Sequence, residues 1–370
     1  MQAVKYVVVI AAAASALLPP PQSPLNEGCA LMPVLGASQK FFRITEEESI
    51  IQRRIEERVA VRYPVAPGHW NGVMGLIAQL DPLSLHTIIE GFSDFQNRFF
   101  NGSEYSMKAS RWLYTKINQT VTASNAIGVA VEVFDYAGWD QPSMIVSIPG
   151  ISAKTIVVGA HQDSITRPCY QVPRDYAPGA DDNASGVATL LEALRAILRD
   201  PVFAQGHAPN TLEFHFYAAE EVGRQGSLQI FDSYSRQGRE VKAMLNQDMT
   251  GYTGYVGTDK PECIGVITDN VDPGLTEFVR MMITTYCTLP YVDTACGYAC
   301  SDHASAHKHG YPAAMTFESE FGDHSKFIHT SLDRADTINI NHILQHVRLV
   351  IGFAYELGFA ALGSEDITEE

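Results

Sequence analysis

The feature that most constrains the fold is a predicted strand that ends in two adjacent carboxylates. Residues Thr211–Tyr217 read TLEFHFY, which has the β-branched and aromatic content of a strand. Glu220 and Glu221 follow, Gly223 opens a turn, and a helical pattern begins near Gln225. Open α/β sheets place their sites at the ends of strands, where one carboxylate can bind a metal while its neighbour transfers a proton. Taken alone, the glutamate pair would be read as a solvated acidic loop.

The rest of the chain repeats this alternation of strands and helices. Asp81 and Pro82 form a helix start, with Asp as N-cap and Pro at the first helical position. The continuous apolar run at 156–158 is typical of a strand covered on both faces. We therefore expect one α/β domain with a central mixed, mostly parallel sheet covered by helices on both faces. The predicted strands are Val129–Tyr136, Ser143–Ile148, Thr155–Ala160, Thr211–Tyr217, Val241–Asn246, Ile264–Thr268 and Ala313–Phe317, and the later predicted helices are Met107–Asn118, Ser185–Leu198, Pro273–Tyr286 and Asn341–Leu357.

The charge balance argues against partners that are themselves polyanions. The chain has 370 residues, of which 26 are basic and 42 are acidic, for a formal net charge of −16. A protein of this sign repels nucleic acids and anionic membranes, so neither is expected as a partner. No sequence feature demands self-association, and we expect a monomer.

The N-terminus predicts export from the cell. Lys5 is followed by the apolar run Val7–Leu18 and by a proline run from Pro19, as in a secretory signal peptide. The apolar run has 12 residues, too few to span a bilayer, and a buried N-terminal helix is the alternative. We expect residues 1–20 to be a signal peptide, 21–66 a charge-rich pro-segment and 67–370 the main domain of a secreted protein. A surface helical extension is the alternative for the pro-segment.

Cysteines and sequons fit an oxidising compartment. The chain has six cysteines, and Cys296 and Cys300 are the best candidates for a disulfide, with a zinc or redox site as the alternative. Asn101 and Asn118 begin glycosylation sequons. Asn183 also begins one, but it lies inside a candidate site motif, so we expect it to be unmodified.

Candidate metal ligands stand at the ends of several predicted elements. In the pair His161 and Asp163, the carboxylate can orient a metal-binding imidazole through its second nitrogen. Zinc accepts histidine nitrogen and carboxylate oxygen, whereas Mg²⁺ would use fewer histidines and more water. Two zinc ions would need a bridging carboxylate, which an aspartate in the small-residue loop at 179–186 could supply. The candidates are His161, Asp163, Asp181, Asp182, Glu220, Glu221, Asp248 and His329.

Taken together, these motifs resemble the secreted co-catalytic di-zinc leucyl aminopeptidases of bacteria and fungi. The resemblance covers the chain from about Trp70 to Leu357, and six motifs occur in the family's order. They are His161-x-Asp163, GADDNASG at 179–186, AEEVG at 219–223, Asp248-Met249, TACGYACSDH at 294–303 and IHT at 328–330. The resemblance implies a zinc aminopeptidase with the zinc-exopeptidase type of α/β fold, and a pro-segment also fits this family.

The resemblance further implies two Zn²⁺ ions per chain and a general base beside them. One zinc would be bound by His161 and Asp248, and the other by Glu221 and His329. Asp182 would bridge the two ions. Glu220 would be the general base, and Asp163 would orient His161.

The resemblance also implies how substrates would be held. The expected substrates are peptides with a free N-terminus and a hydrophobic first residue such as Leu. Tyr298, held by a Cys296–Cys300 disulfide, would hydrogen-bond the tetrahedral intermediate. His324 stands where the family has an aromatic residue, and a neutral imidazole can still pack there. The apolar pocket would consist of Met249, Ile267, Met315, Phe317, Phe321 and Ile328.

Two other functions compete with the peptidase. A single-zinc glutaminyl-peptide cyclase of the same fold would share much of this ligand set, but the GADDN loop and the CGYAC loop favour the peptidase. A receptor-like binding module that has lost its metals would have broken ligand positions, whereas every ligand position of this chain is filled.

Overall fold

An eight-stranded sheet forms the centre of the computed structural model, which describes residues 60–166, 175–253 and 260–363. The strand order is β1-β2-β4-β3-β5-β8-β6-β7. The strands are β1 (Ala130–Phe134), β2 (Ser143–Ile148), β3 (Ser152–His161), β4 (Asn210–Tyr217), β5 (Val241–Gln247), β6 (Ile264–Ile267), β7 (Tyr291–Thr294) and β8 (Ala313–Phe317). The mixed sheet confirms the predicted fold class.

The central strands are parallel and the flanking ones add the antiparallel pairs. β3 is parallel to β4 and to β5, and β5 is parallel to β8. β1 pairs antiparallel with β2, β2 with β4, and β6 with β8. The carboxyl ends of β3, β4, β5 and β8 therefore share one edge of the sheet. This is the edge at which open α/β folds bind ligands.

Helices cover both faces of the sheet. Ile156 and Val158 contribute to the larger apolar core, whereas Val157 points into a smaller core on the opposite face, as the continuous apolar run predicted. The helices are α1 (Trp70–Ile77), α2 (Pro82–Ser93), α3 (Glu104–Ser124), α4 (Gly186–Ile197), α5 (Pro201–Ala204), α6 (Gln225–Gln237), α7 (Pro273–Tyr286), α8 (His303–Lys308) and α9 (Ile340–Phe359), with an irregular helical turn at Ala180–Ser185 and a 3₁₀ turn at Ala335–Thr337.

Capping residues explain where several helices begin and end. The Asp81 side chain accepts a hydrogen bond from the Leu83 amide at 3.0 Å, as expected of an N-cap. α3 is longer at both ends than the predicted 107–118. Ser103 caps its start, and Asn125 ends it in a left-handed conformation. Among the described residues, no single helix is long and apolar enough to cross a membrane; α1 and α2 would reach that length only together, across a bend of 63°.

The described end of the predicted pro-segment packs on the main domain. The proposed signal peptide, the rest of the pro-segment, Cys29 and Cys169 lie outside the described residues. Val61 and Tyr63 pack against the larger core. The Tyr63 hydroxyl donates a hydrogen bond to the Lys242 carbonyl at 2.8 Å. The boundary at residues 66 and 67 stays a prediction, and residues 61 and 63 are structurally part of the fold.

Candidate metal centre

The five side chains expected to bind metal meet at the carboxyl edge of the sheet. His161 Nε2 lies 3.1 Å from Asp182 Oδ1 and 3.3 Å from Asp248 Oδ1. His329 Nε2 lies 2.9 Å from Asp182 Oδ2 and 2.9 Å from Glu221 Oε2. Within each of these two groups, the potential ligand atoms lie within 4.8 Å of one another. Asp182 belongs to both groups through different oxygens, which is the geometry of a bridging carboxylate.

The donor atoms and their charges fit divalent zinc. Each group offers one imidazole nitrogen and two carboxylate oxygens, all donors that zinc accepts. Burial alone would lower the pKa of His329, but Glu221 and Asp182 raise it to about 11. His161 and His329 hold the pKa of Asp182 well below its usual range, against the effect of burial. In the protein without metal, protons on the two imidazoles balance the carboxylates, and a cation in each group would take over that role.

Asp163 ties the first histidine to the glutamate pair. Its Oδ1 lies 3.4 Å from His161 Nδ1, at the long end of hydrogen-bonding distance. Its two oxygens accept hydrogen bonds from the backbone amides of Glu220 at 3.0 Å and Glu221 at 3.1 Å. One carboxylate therefore positions three residues of the site. Sequence reasoning expected only the contact with His161.

Two further supports were not predicted. The Asp333 carboxylate accepts hydrogen bonds from the backbone amides of Asp181 at 2.8 Å and Asp182 at 3.1 Å. The Ser301 hydroxyl donates to Asp248 Oδ2 at 2.6 Å. Ser301 could have been found, because it lies inside the TACGYACSDH motif, whereas nothing in the sequence around Asp333 signals a role.

Arg98 is the largest support that sequence reasoning missed. Its side chain is fully buried. Burial lowers its pKa to about 10, against the influence of Asp333 and Asp163, so it stays charged at neutral pH. Its guanidinium donates to four backbone carbonyls, those of Gln162, Phe92, Pro178 and Gly179. One cation thus holds the loop that follows His161 together with the loop that leads to Asp182.

We expect Arg98→Met to lower the free energy of unfolding by about 3–5 kcal/mol, because four buried carbonyls lose their donor and nearby carboxylates lose a cation. Denaturant unfolding of the metal-free protein would measure this. Arg199→Met is the control, since Arg199 is exposed and bonds the Gln79 side chain, and a change within about 0.5 kcal/mol is expected there. Equal stabilities for the two variants would contradict this role of Arg98.

Non-glycine residues with left-handed backbone conformation concentrate at the site. Among the described residues, Ala219, Arg224, Met249 and His329 have φ of 55°, 59°, 57° and 54°. Ala219 and Arg224 flank the glutamate pair after β4, Met249 follows Asp248, and His329 is itself a candidate ligand. A residue with a side chain pays a strain cost in this region, and such strain is typical of functional sites.

A cleft of about 720 Å³ opens over the two metal-ligand groups. Met249, Ile267, Met315 and Phe317 form a buried apolar cluster on one side, with Phe321 and Ile328 packed against it. Five of these six predicted pocket residues line the cleft, and Ile267 lies behind them. The described residues that line the cleft are Asp182, Glu220, Glu221, Gly223, Arg224, Asp248, Met249, Tyr298, Ala299, Cys300, Met315, Phe317, Phe321, His324, Ser325, Lys326, Ile328, His329 and Thr330.

Of the remaining predicted site residues, Tyr298, Cys300 and His324 also border this cleft, and Cys296 packs against its apolar cluster. Cys296 and Cys300 form a disulfide, and Tyr298 between them is 61% exposed. The His324 ring centroid lies 5.2 Å from that of Phe321, and burial lowers the pKa of His324, so a neutral imidazole packs here. Glu220 borders the cleft too. Burial raises the pKa of Glu220 well above its usual range; nearby carboxylates act in the same direction and His161 opposes them.

A sheet edge that gathers two histidine–carboxylate groups around a shared aspartate has the geometry of a metal-dependent hydrolase site. The family model of Peptidase family M28 matches residues 143–354, and the chain belongs to this zinc-dependent family. The chain is 46% identical over 325 residues to Leucine aminopeptidase 1 of Pyrenophora tritici-repentis, covering 86% of this chain and 82% of that relative. It is a metallo-aminopeptidase, as the motifs predicted.

Solved structures agree with this assignment. The crystal structure of Legionella pneumophila LapA aminopeptidase is 28% identical with a TM-score of 0.72, and the match covers 80% of this chain and 77% of that one. A glutaminyl cyclase from Porphyromonas gingivalis is 18% identical with a TM-score of 0.57, over 75% of this chain and 99% of that one. The cyclase therefore shares the fold alone.

Proposed function

We propose that this protein removes the first residue from peptides with a free N-terminus, preferring hydrophobic first residues such as Leu, with two Zn²⁺ ions per chain. One observation carries the proposal: Asp182 gives one oxygen to each of two ligand groups, and Glu220 and an apolar pocket border the same cleft. A single-zinc cyclase would not need this shared aspartate to serve two groups. The proposed ligands are His161 and Asp248 for one ion, Glu221 and His329 for the other, and Asp182 for both.

Glu220 is the proposed general base. A bound zinc pair supplies Lewis acidity, which polarises the scissile carbonyl and lowers the pKa of the attacking water toward neutrality. Glu220 accepts a proton from that water and returns it to the leaving amine. Asp163 supports this transfer, because it bonds the Glu220 amide and faces His161. The Tyr298 hydroxyl donates to the carbonyl oxygen as negative charge develops there.

The apolar side of the cleft is the proposed site for the first side chain. Met315 and Phe317 are nearly fully buried and face the cleft together with Phe321. A Leu side chain placed here loses its contact with water, which favours binding by about 1.5–3 kcal/mol. The uncharged His324 ring can pack beside it without introducing a buried charge.

We propose in addition that the enzyme is a secreted monomer made with a pro-segment. The leader-like sequence at 1–20 and the Cys296–Cys300 disulfide support export. The sequons at Asn101 and Asn118 lie on described residues that are partly exposed, whereas Asn183 is fully buried, in line with its expected lack of modification.

A panel of chromogenic aminoacyl amides tests the proposed activity. We expect hydrolysis of the leucyl amide, weaker hydrolysis of the alanyl and glutamyl amides, and none of N-acetyl-leucyl amide, which lacks the free amine. Cleavage of the acetylated compound would contradict the exopeptidase proposal. Cyclisation of N-terminal Gln without hydrolysis of the leucyl amide would favour the cyclase instead.

A further inference from the structure

Arg224 lies in the tight turn that follows the proposed base. The backbone amides of Gly223 and Arg224 both donate to the Glu220 carbonyl, at 2.8 and 2.7 Å, which closes a tight turn after the glutamate pair. Arg224 has φ of 59° and immediately precedes α6. Its carbonyl accepts hydrogen bonds from the Ser227 hydroxyl at 3.2 Å and the Leu228 amide at 3.0 Å. The turn therefore fixes the position from which this side chain enters the cleft.

The Arg224 guanidinium is available to a ligand. Arg224 lines the cleft with Glu220, and its side chain has no hydrogen bond or ion pair within the described ranges. Lys326, the other cation of the cleft wall, donates to the Gly322 carbonyl. The carboxylates of the cleft, those of Asp182, Glu220, Glu221 and Asp248, have proposed roles with metal or proton. They are therefore not free to neutralise Arg224.

The position of Arg224 identifies the part of the substrate that it faces. In the proposed reaction the apolar pocket with Met315 and Phe317 receives the first residue. Glu220 delivers its proton to the leaving amine, so the second residue must pass on the Glu220 side of the cleft. Arg224 follows Glu220 within the same turn. Its side chain consequently borders the leaving portion of the peptide and not the first residue.

We infer that Arg224 selects substrates with a carboxylate on the leaving side of the scissile bond. This inference rests on the proposed function and specifies its substrate class. The carboxylate can be an acidic side chain at the second position or the C-terminal carboxylate of a dipeptide, and both match the planar fork of a guanidinium. Short or acidic peptides would then be preferred to neutral peptides with the same first residue.

Paired substrates distinguish these two sources of negative charge. Leu-Glu-amide against Leu-Gln-amide reports on the side chain, and Leu-Ala against Leu-Ala-amide reports on the C-terminus. We expect kcat/KM of the wild-type enzyme to favour the charged member of at least one pair by about tenfold at low salt. Arg224→Gln should reduce that ratio to about one, and Arg224→Lys should retain part of it because it keeps the charge.

Arg236→Gln is the matched control, because Arg236 lies on α6 but pairs with Asp232 on the exposed surface. It should keep the wild-type ratios, which excludes an effect of net charge alone. The inference is overturned if the wild type shows no charge preference in either pair, or if Arg224→Gln slows both members of each pair equally. Failure of the wild type to cleave any of the four compounds would instead refute the proposed function.

Discussion

Glu220→Gln is expected to reduce kcat by about 10²–10⁴-fold, with much less change in KM. The substitution keeps the shape of the side chain and removes its ability to accept and return a proton. Glu220 is not part of either metal-ligand group, and its backbone amide still reaches Asp163, so the ligand geometry should persist. The variant should therefore bind as much zinc as the wild type and unfold at nearly the same temperature.

The measurement is kcat and KM on a leucyl chromogenic amide, with zinc content determined on the same preparation. Glu90→Gln is the control, since that glutamate is exposed on α2, away from the cleft, and pairs with His86. It should retain wild-type kinetics. Full activity of Glu220→Gln with normal zinc content would show that Glu220 is not the general base.

Asp182→Asn is expected to have an effect of similar size for a different reason. It replaces the one carboxylate that contributes an oxygen to both ligand groups with an amide that can supply only one. Each of the two proposed zinc ions would lose a negatively charged ligand, so zinc content should fall below two per chain. Loss of several kcal/mol of charge stabilisation should lower kcat/KM by about 10³-fold or more.

The neighbouring residue offers a matched control for Asp182. Burial, together with the Glu318 carboxylate, raises the pKa of Asp181 well above its usual range, which favours the uncharged carboxyl. Asp181 Oδ1 accepts a hydrogen bond from the Gly251 amide at 2.9 Å, which an asparagine can also do. Asp181→Asn should therefore bind zinc and react as the wild type does. If Asp181→Asn and Asp182→Asn lost zinc and activity to the same extent, the losses would reflect disturbance of the loop and not removal of the bridging carboxylate.

The metal ligands and the sheet could be predicted because their signals are local. His161 ends β3, Asp248 directly follows β5, and Glu221 comes soon after β4, each strand being identified by its apolar or β-branched composition. Asp182 lies in the irregular helical turn and His329 in a loop, and both were found from their motifs. Parallel strands bring such positions to one edge whatever the details of the loops. The predicted limits of β2, β8 and α7 match the structure, since turn residues or an Asp-Pro cap bound these segments.

Other features depend on contacts between distant segments and had no local signal. β7 is a four-residue edge strand, partly exposed, whose pairing with β6 follows from the tertiary fold. Arg98 resembles any surface arginine in the sequence, and only the folded chain shows four carbonyls converging on it. The contact between Asp333 and the Asp182 amide spans 151 positions. Arg224 likewise has no local signal, because its lack of a partner within the described ranges depends on how the other charges of the cleft are paired.

The most direct test of the central claim is a zinc titration of the metal-free protein, followed by native mass spectrometry and by hydrolysis of a leucyl chromogenic amide. Two closely spaced ligand groups that share Asp182 predict two bound zinc ions per chain, with full activity reached only as the second group fills. A chain that binds a single zinc ion and is fully active with it, or one that binds none, would contradict the proposed two-metal site.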